Sequence, residues 1–130
     1  MTTKIVCKET FAVIGKAGQG PANNAAWIPP LWDDAGGHYD EIANAVCKDG
    51  KGDAYWWGAM NDETDSNKRW GETGKYMAGC EAEVDAIPPT DWTKWIIPAQ
   101  TYLVAECTPS KYGEVFREIT SDPKIDIVAE

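Results

Sequence analysis

The chain has 130 residues, 43% hydrophobic and 25% charged, with a formal net charge of -9. That balance fits one domain with a real core and excludes disorder. The acidity argues against nucleic acid, because phosphate neutralisation needs clustered Lys and Arg, and Asp49 and Asp53 offset the nearest cluster at Lys48 and Lys51.

No apolar run approaches the length of a membrane span. The first four residues lack the apolar segment of a secretion signal, so a cytoplasmic location is expected, with no membrane partner. Cys7, Cys47, Cys80 and Cys107 are irregularly spaced and form no C-x-x-C pair. A zinc site is not expected, and the cysteines read as small buried apolar residues, not as disulfide partners.

Residues 4–16 read as a strand, with Ile5, Val6, Phe11, Val13 and Ile14 among polar neighbours. Gly15, Gly18 and Gly20 are expected to loosen the backbone, and Pro21 to end the stretch. One helical turn is predicted within residues 23–35, interrupted by Pro29-Pro30 and Gly36-Gly37. A clearer helix is predicted over residues 38–48 from the spacing of Tyr39, Ile42 and Val46.

Residues 49–53 form a turn signal, and residues 54–61 a strand. Its alternation sets Tyr55, Trp57 and Ala59 on one face, with Trp56, Gly58 and Met60 on the other. A polar loop over residues 62–74 leads to a strand over residues 75–85. There Tyr76, Ala78, Cys80, Ala82 and Val84 share one face, and Met77, Gly79, Glu81 and Glu83 the opposite one. Residues 95–107 are a further strand region. Ser110 is read as the cap of a helix reaching Thr120, with Tyr112, Val115, Phe116 and Ile119 on its apolar side. Residues 124–130 alternate as a short strand would. Strands following one another after single helices predict an α+β fold with an antiparallel sheet.

Seven tryptophans (Trp27, Trp32, Trp56, Trp57, Trp70, Trp92 and Trp95) exceed what one small core needs. Indole is large and carries an N–H that must be satisfied when buried, so the excess points to a lined cavity or contact surface. Aromatic faces together with acidic charge favour a cation.

Three stretches in order resemble the GyrI-like effector-binding domains, which also occur attached to AraC-type and MerR-type bacterial regulators. They are Trp27-Ile-Pro-Pro-Leu-Trp32, Tyr76-Met-Ala-Gly-Cys-Glu-Ala-Glu-Val84 and Ile97-Pro-Ala-Gln-Thr-Tyr-Leu-Val104. Phe11-Ala-Val-Ile-Gly15 is similar to the family's opening strand, and the resemblance spans about residues 4–120. It implies two strand–helix–strand–strand modules related by pseudo-two-fold symmetry, with a cleft between them for hydrophobic, often cationic, small molecules. A DNA-binding helix-turn-helix is not expected within these residues. Relative to the family, the strand pair after the second module's helix is expected to be absent or reduced to residues 124–130. A homodimer partner completing that open edge is one expectation, because an unpaired edge invites pairing.

Glu81 matches the glutamate of the family's second stretch. A carboxylate in an aromatic cleft is costly to bury alone, so it seeks a cation or becomes protonated, and it is the candidate counter-ion or acid/base; a solvent-facing strand residue is the alternative. Glu83 shares its face. Trp27, Trp32, Trp57 and Tyr76 are candidate pocket walls, and Tyr102 a candidate ligand contact. Trp92 and Trp95 flank the loop between the modules, as a lid or as packing. His38 reads as a helix-start residue. Neither a nucleophile elbow nor a phosphate-binding glycine loop is present, so no cofactor is expected.

The leading reading is a stand-alone module that sequesters or senses an amphipathic, cationic aromatic small molecule. One rival is a hydrolase acting on a reactive or strained compound with Glu81 or Glu83 as acid/base, distinguished by turnover. The other is a gyrase-inhibitor-like interaction protein, distinguished by a stable complex that needs no small molecule.

Overall fold

The computed structural model describes residues 3–122. In chain order the elements are β1 (Thr3–Lys8), β2 (Phe11–Pro21), α1 (Pro29–Gly37), a 3-10 turn (Tyr39–Glu41), β3 (Trp56–Asp62) and β4 (Thr73–Ala82). Then come β5 (Thr93–Ile97), β6 (Gln100–Ala105), a 3-10 turn (Pro109–Lys111) and α2 (Tyr112–Thr120). Among these elements every pairing is antiparallel, in a four-stranded sheet ordered β3-β4-β2-β5 and a two-stranded sheet of β1 and β6. The protein is α+β, as expected.

The two sheets meet at a kink. Thr3 to Lys8 pair with Ala105 to Gln100, and Phe11 to Gly15 pair with Ile97 to Thr93, with the same offset on both sides of the break. One long antiparallel pairing is therefore interrupted at residues 9–10 and 98–99. Pro98 has no N–H to give to the ladder. Instead Ala99 N donates to Thr10 Oγ1 at 3.1 Å. The strands predicted over residues 4–16 and 95–107 are each divided here.

Two further expectations are corrected. The strand predicted to close at Lys16 runs on through Gly18 and Gly20, since β2 stays paired with β4 as far as Pro21 opposite Thr73, where the stretch ends as expected. Pro29 and Pro30 start the regular helix and do not interrupt it. At the first helical positions their missing N–H is not required. Residues 38–48, by contrast, hold only the 3-10 turn and further turns. Ile42 and Val46 are buried there, so their spacing marks burial without a helix. Cys47 N donates to Glu81 O at 2.9 Å, and Lys48 bridges to Ala54, which draws this backbone towards the end of β4.

Alternation gives the sheet two apolar faces. On the helix-bearing face Ala12, Ile14, Tyr76, Ala78, Cys80 and Ala82 pack with Ala35, Ile42, Val46 and Trp92. On the other face Phe11, Val13, Ala59 and Met77 pack with Trp57, Trp95 and Ile97. These are the faces that the alternation of β3 and β4 predicts. Ile14, Val13 and Met77 are fully buried, each stabilising by about 1.5–3 kcal/mol.

The glycine-rich and tryptophan-rich parts of the sequence are two halves of one packing scheme. Gly20 and Gly74 are cross-strand partners. A Cβ on Gly20 would lie 2.5 Å from Trp27, and one on Gly74 2.1 Å from Trp70. The two indoles cover this bare backbone and stack on each other, with centroids 5.7 Å apart. Their N–H groups donate to Pro21 O and Lys75 O, both at 3.1 Å.

In the second module Ser110 lies in the 3-10 turn, with its Oγ 3.1 Å from Thr108 Oγ1, and α2 starts without a side-chain cap. No residue of α2 is fully buried. The strand predicted over residues 124–130 lies outside the described residues. The four cysteines are free thiols, but only Cys80 is buried; Cys7 and Cys107 are exposed, and Cys47 is intermediate. Among the described residues no helix is long and apolar enough to cross a membrane.

Candidate functional site

The kink brings β1 and β2 together with the ends of β3 and β4 around an open groove of about 670 Å³. Lys8, Ala54, Tyr55, Trp56, Trp57 and Glu81 line it. Glu81 is fixed through its backbone: its N–H donates to Tyr55 O, and its carbonyl accepts from Cys47 N, both at 2.9 Å. Parity then aims its carboxylate at the non-helical face.

There Glu81 Oε1 accepts from Trp57 Nε1 at 3.1 Å and pairs with Lys8 Nζ at 3.1 Å. The Glu81 side chain is 18% exposed and that of Lys8 31%. The Trp57 ring lies 5.0 Å from Phe11 and 6.5 Å from Tyr102, centroid to centroid. Lys8 Nζ sits 4.6 Å from the Phe11 centroid and 6.0 Å from that of Trp57. A half-buried carboxylate, an indole N–H that orients it and a set of π faces thus converge on one ammonium. Such a place attracts positive charge from two sources at once.

The register shapes the floor beside Trp57. Its partner in β4 is Gly79, and the partner of Gly79 in β2 is Gly15. Two successive positions next to the indole therefore carry no side chain. One row further on, Glu81 pairs with Val13, and Val13 with Trp95.

Of the residues predicted from the sequence, Trp57, Glu81 and Tyr102 are brought together. Trp95 is on the same face but lines a separate depression of about 330 Å³ with Ala17, Gly18, Gln19, Asp65 and Lys75. Glu83 lies just past the end of β4, where its Oε1 accepts from Cys47 Sγ at 3.8 Å. Trp32 and Tyr76 are on the helix-bearing side, with the Trp32 N–H donating to the Tyr76 hydroxyl at 3.1 Å. Trp27 covers Gly20. Trp92 is 6% exposed and donates to Glu41 Oε1 at 2.9 Å, so it is packing and not a lid.

Lys8, Phe11, Ala54, Tyr55 and Trp56 were not singled out as site residues by sequence reasoning. Phe11 stands in the stretch that resembles the family's opening strand, which is the one signal available for it. Nothing local signals that Lys8 meets a residue 73 positions on, because that meeting depends on the kink.

Cys80, although adjacent to Glu81, points into the core, and burial pushes its thiol up to about 12. It is therefore no nucleophile for this groove. His38 closes α1, where its Nδ1 lies 3.0 Å from both the carbonyl and a carboxylate oxygen of Asp34. It also stands immediately before the 3-10 turn Tyr39–Glu41, so its helix-start reading holds for that turn, although no α-helix over residues 38–48 follows. Among the described residues no group of three or more His, Cys, Asp or Glu is placed to hold a metal.

The sequence matches no family model and no curated protein. Solved structures are similar. One is SAV2435 bound to tetraphenylphosphonium, with a TM-score of 0.65 at 14% identity over 92% of this chain and 71% of that one. Another is an integron cassette protein from the mobile metagenome of Vibrio cholerae, with a TM-score of 0.47 at 13% identity over 91% of this chain and 75% of that one. At such identity the likeness to the first establishes one thing, which is that this chain has the fold of a protein whose structure holds a lipophilic aromatic cation.

Proposed function

We propose that this chain is a GyrI-like module that binds an amphipathic organic cation in the Glu81–Trp57 groove, to sequester or to sense it. The observation that carries the reading is the Glu81 carboxylate, mostly withdrawn from water and held by the Trp57 N–H at 3.1 Å, with the rings of Phe11 and Tyr102 beside that indole. A delocalised cation gains from the carboxylate and the π faces together, and its apolar body gains by leaving water. The net charge of -9 raises the local concentration of cations. The fold shared with a tetraphenylphosphonium-bound protein supports the same ligand class.

The test is a fluorescence titration with tetraphenylphosphonium on wild type and Glu81→Gln. Saturable quenching is expected, with the dissociation constant at least about tenfold higher in the variant, which corresponds to ~1.4 kcal/mol. Equal affinity in the two proteins, or no binding to wild type, would overturn the reading.

A further inference from the structure

Resting on that reading, the position of Lys8 says which cations the groove accepts. Lys8 is the last residue of β1, immediately before the kink, and its ammonium lies over the ring of Phe11. Its ammonium takes the three attractions available to a bound cation: the Glu81 carboxylate at 3.1 Å, the Phe11 face at 4.6 Å and the Trp57 ring at 6.0 Å. The groove is thus already furnished with a positive charge, supplied by the chain itself.

We infer that Lys8 is a tethered internal cation, that a ligand enters the charged end of the groove by displacing it, and that Lys8 is therefore the residue that sets specificity. Displacement is sterically simple. The Lys8 side chain is 31% exposed, and a four-carbon stem with a strongly hydrated head can swing into water. The competition is unequal, however. A tethered group acts at an effective concentration in the millimolar range or above. A small ammonium ion offers Glu81 nothing that Lys8 does not already offer, so it loses. A bulky cation with delocalised charge adds apolar contact with Tyr55, Trp56 and Trp57, which line the groove, and it sheds its hydration more easily. The class admitted is therefore large, lipophilic cations, and the class refused is small hydrophilic ones. Arg at this position would compete harder, because its planar fork matches a carboxylate and stacks on aromatic rings.

The experiment measures binding of tetraphenylphosphonium, tetramethylammonium and the isosteric anion tetraphenylborate to wild type, Lys8→Met and Lys8→Arg by calorimetry. For tetraphenylphosphonium the expected order of affinity is Met above Lys above Arg, with about a tenfold gain from Lys to Met. Tetramethylammonium is expected to bind Lys8→Met alone. Tetraphenylborate is expected to lose affinity in Lys8→Met, because Glu81 is left unneutralised. If wild type binds tetraphenylphosphonium but Lys8→Met binds it equally or more weakly, the role of Lys8 is overturned and the cation-binding reading stands. If wild type does not bind tetraphenylphosphonium, that reading falls and the inference with it. Should Lys8→Met not fold, the comparison of Lys with Arg decides, and equal or tighter binding by Arg refutes the displacement.

Discussion

The close approach of β2 and β4 at Gly15 and Gly79 can be tested by adding one methyl group. A Cβ on Gly79 would stand 2.4 Å from Ile14 O and 2.7 Å from Gly15 Cα. Both atoms belong to the backbone of a central strand, so no side chain can turn away to make room. Overpacking in a well-filled interior costs about 1–3 kcal/mol, and a clash with two ladder atoms belongs at the upper end of that range. We expect Gly79→Ala to cost about 3 kcal/mol. At roughly 4 °C per kcal/mol for a chain of this size, the melting temperature falls by ~12 °C.

The control is the same substitution at Gly36, which lies inside α1 with open space where a Cβ would go. Alanine there removes backbone freedom from the unfolded chain and favours the helix, for a gain of about 0.5–1 kcal/mol. Urea and thermal unfolding, followed by circular dichroism, give both values. If Gly79→Ala is neutral, or no more costly than Gly36→Ala, the two strands do not approach as described and the side-chain-free floor beside Trp57 is wrong.

Other outcomes follow from the two faces of the sheet. Trp32→Phe removes the N–H donated to Tyr76 on the helix-bearing side. It should cost about 1 kcal/mol of stability while leaving tetraphenylphosphonium affinity unchanged by calorimetry; a large loss of affinity would put Trp32 in the site. Burial raises the Cys80 thiol to about 12 and raises the Tyr76 phenol as well. Both groups hold their protons longer in the folded state than in the unfolded one. Their contribution to stability is complete below the unfolded thiol value near 9 and is lost as pH rises from there towards 12. Melting temperatures across that window should decline, and Cys80→Ala should flatten the decline; an identical slope in the variant would refute the assignment.

Period-two alternation was enough to sort β3 and β4 into their two faces, because one residue of slip would exchange Glu81 for Cys80. The helices were less legible. Pro29-Pro30 means interruption in mid-helix and initiation at its start, and the residues alone do not say which. Residues 38–48 carry helical spacing, yet the hydrogen bonds of Cys47 and Lys48 go to β4 and to Ala54. At the groove, Glu81 and Trp57 could be found from parity and resemblance. Lys8 could not, since it is joined to Glu81 only through the long pairing of the bent strands. The tryptophan excess had two causes that composition merges: Trp57 serves the groove, whereas Trp27 and Trp70 cover glycines.

The stacked pair formed by Trp27 and Trp70 has an optical consequence. Two indoles at 5.7 Å, inclined by 27°, lie close enough for their transition dipoles to couple, so this end of the sheet should contribute an exciton couplet to the far-ultraviolet circular dichroism. The couplet depends on Gly20 and Gly74 staying bare and is separate from the groove, which Trp56 and Trp57 line. The β2–β4 end of the sheet therefore carries its own optical reporter of integrity, which needs no label.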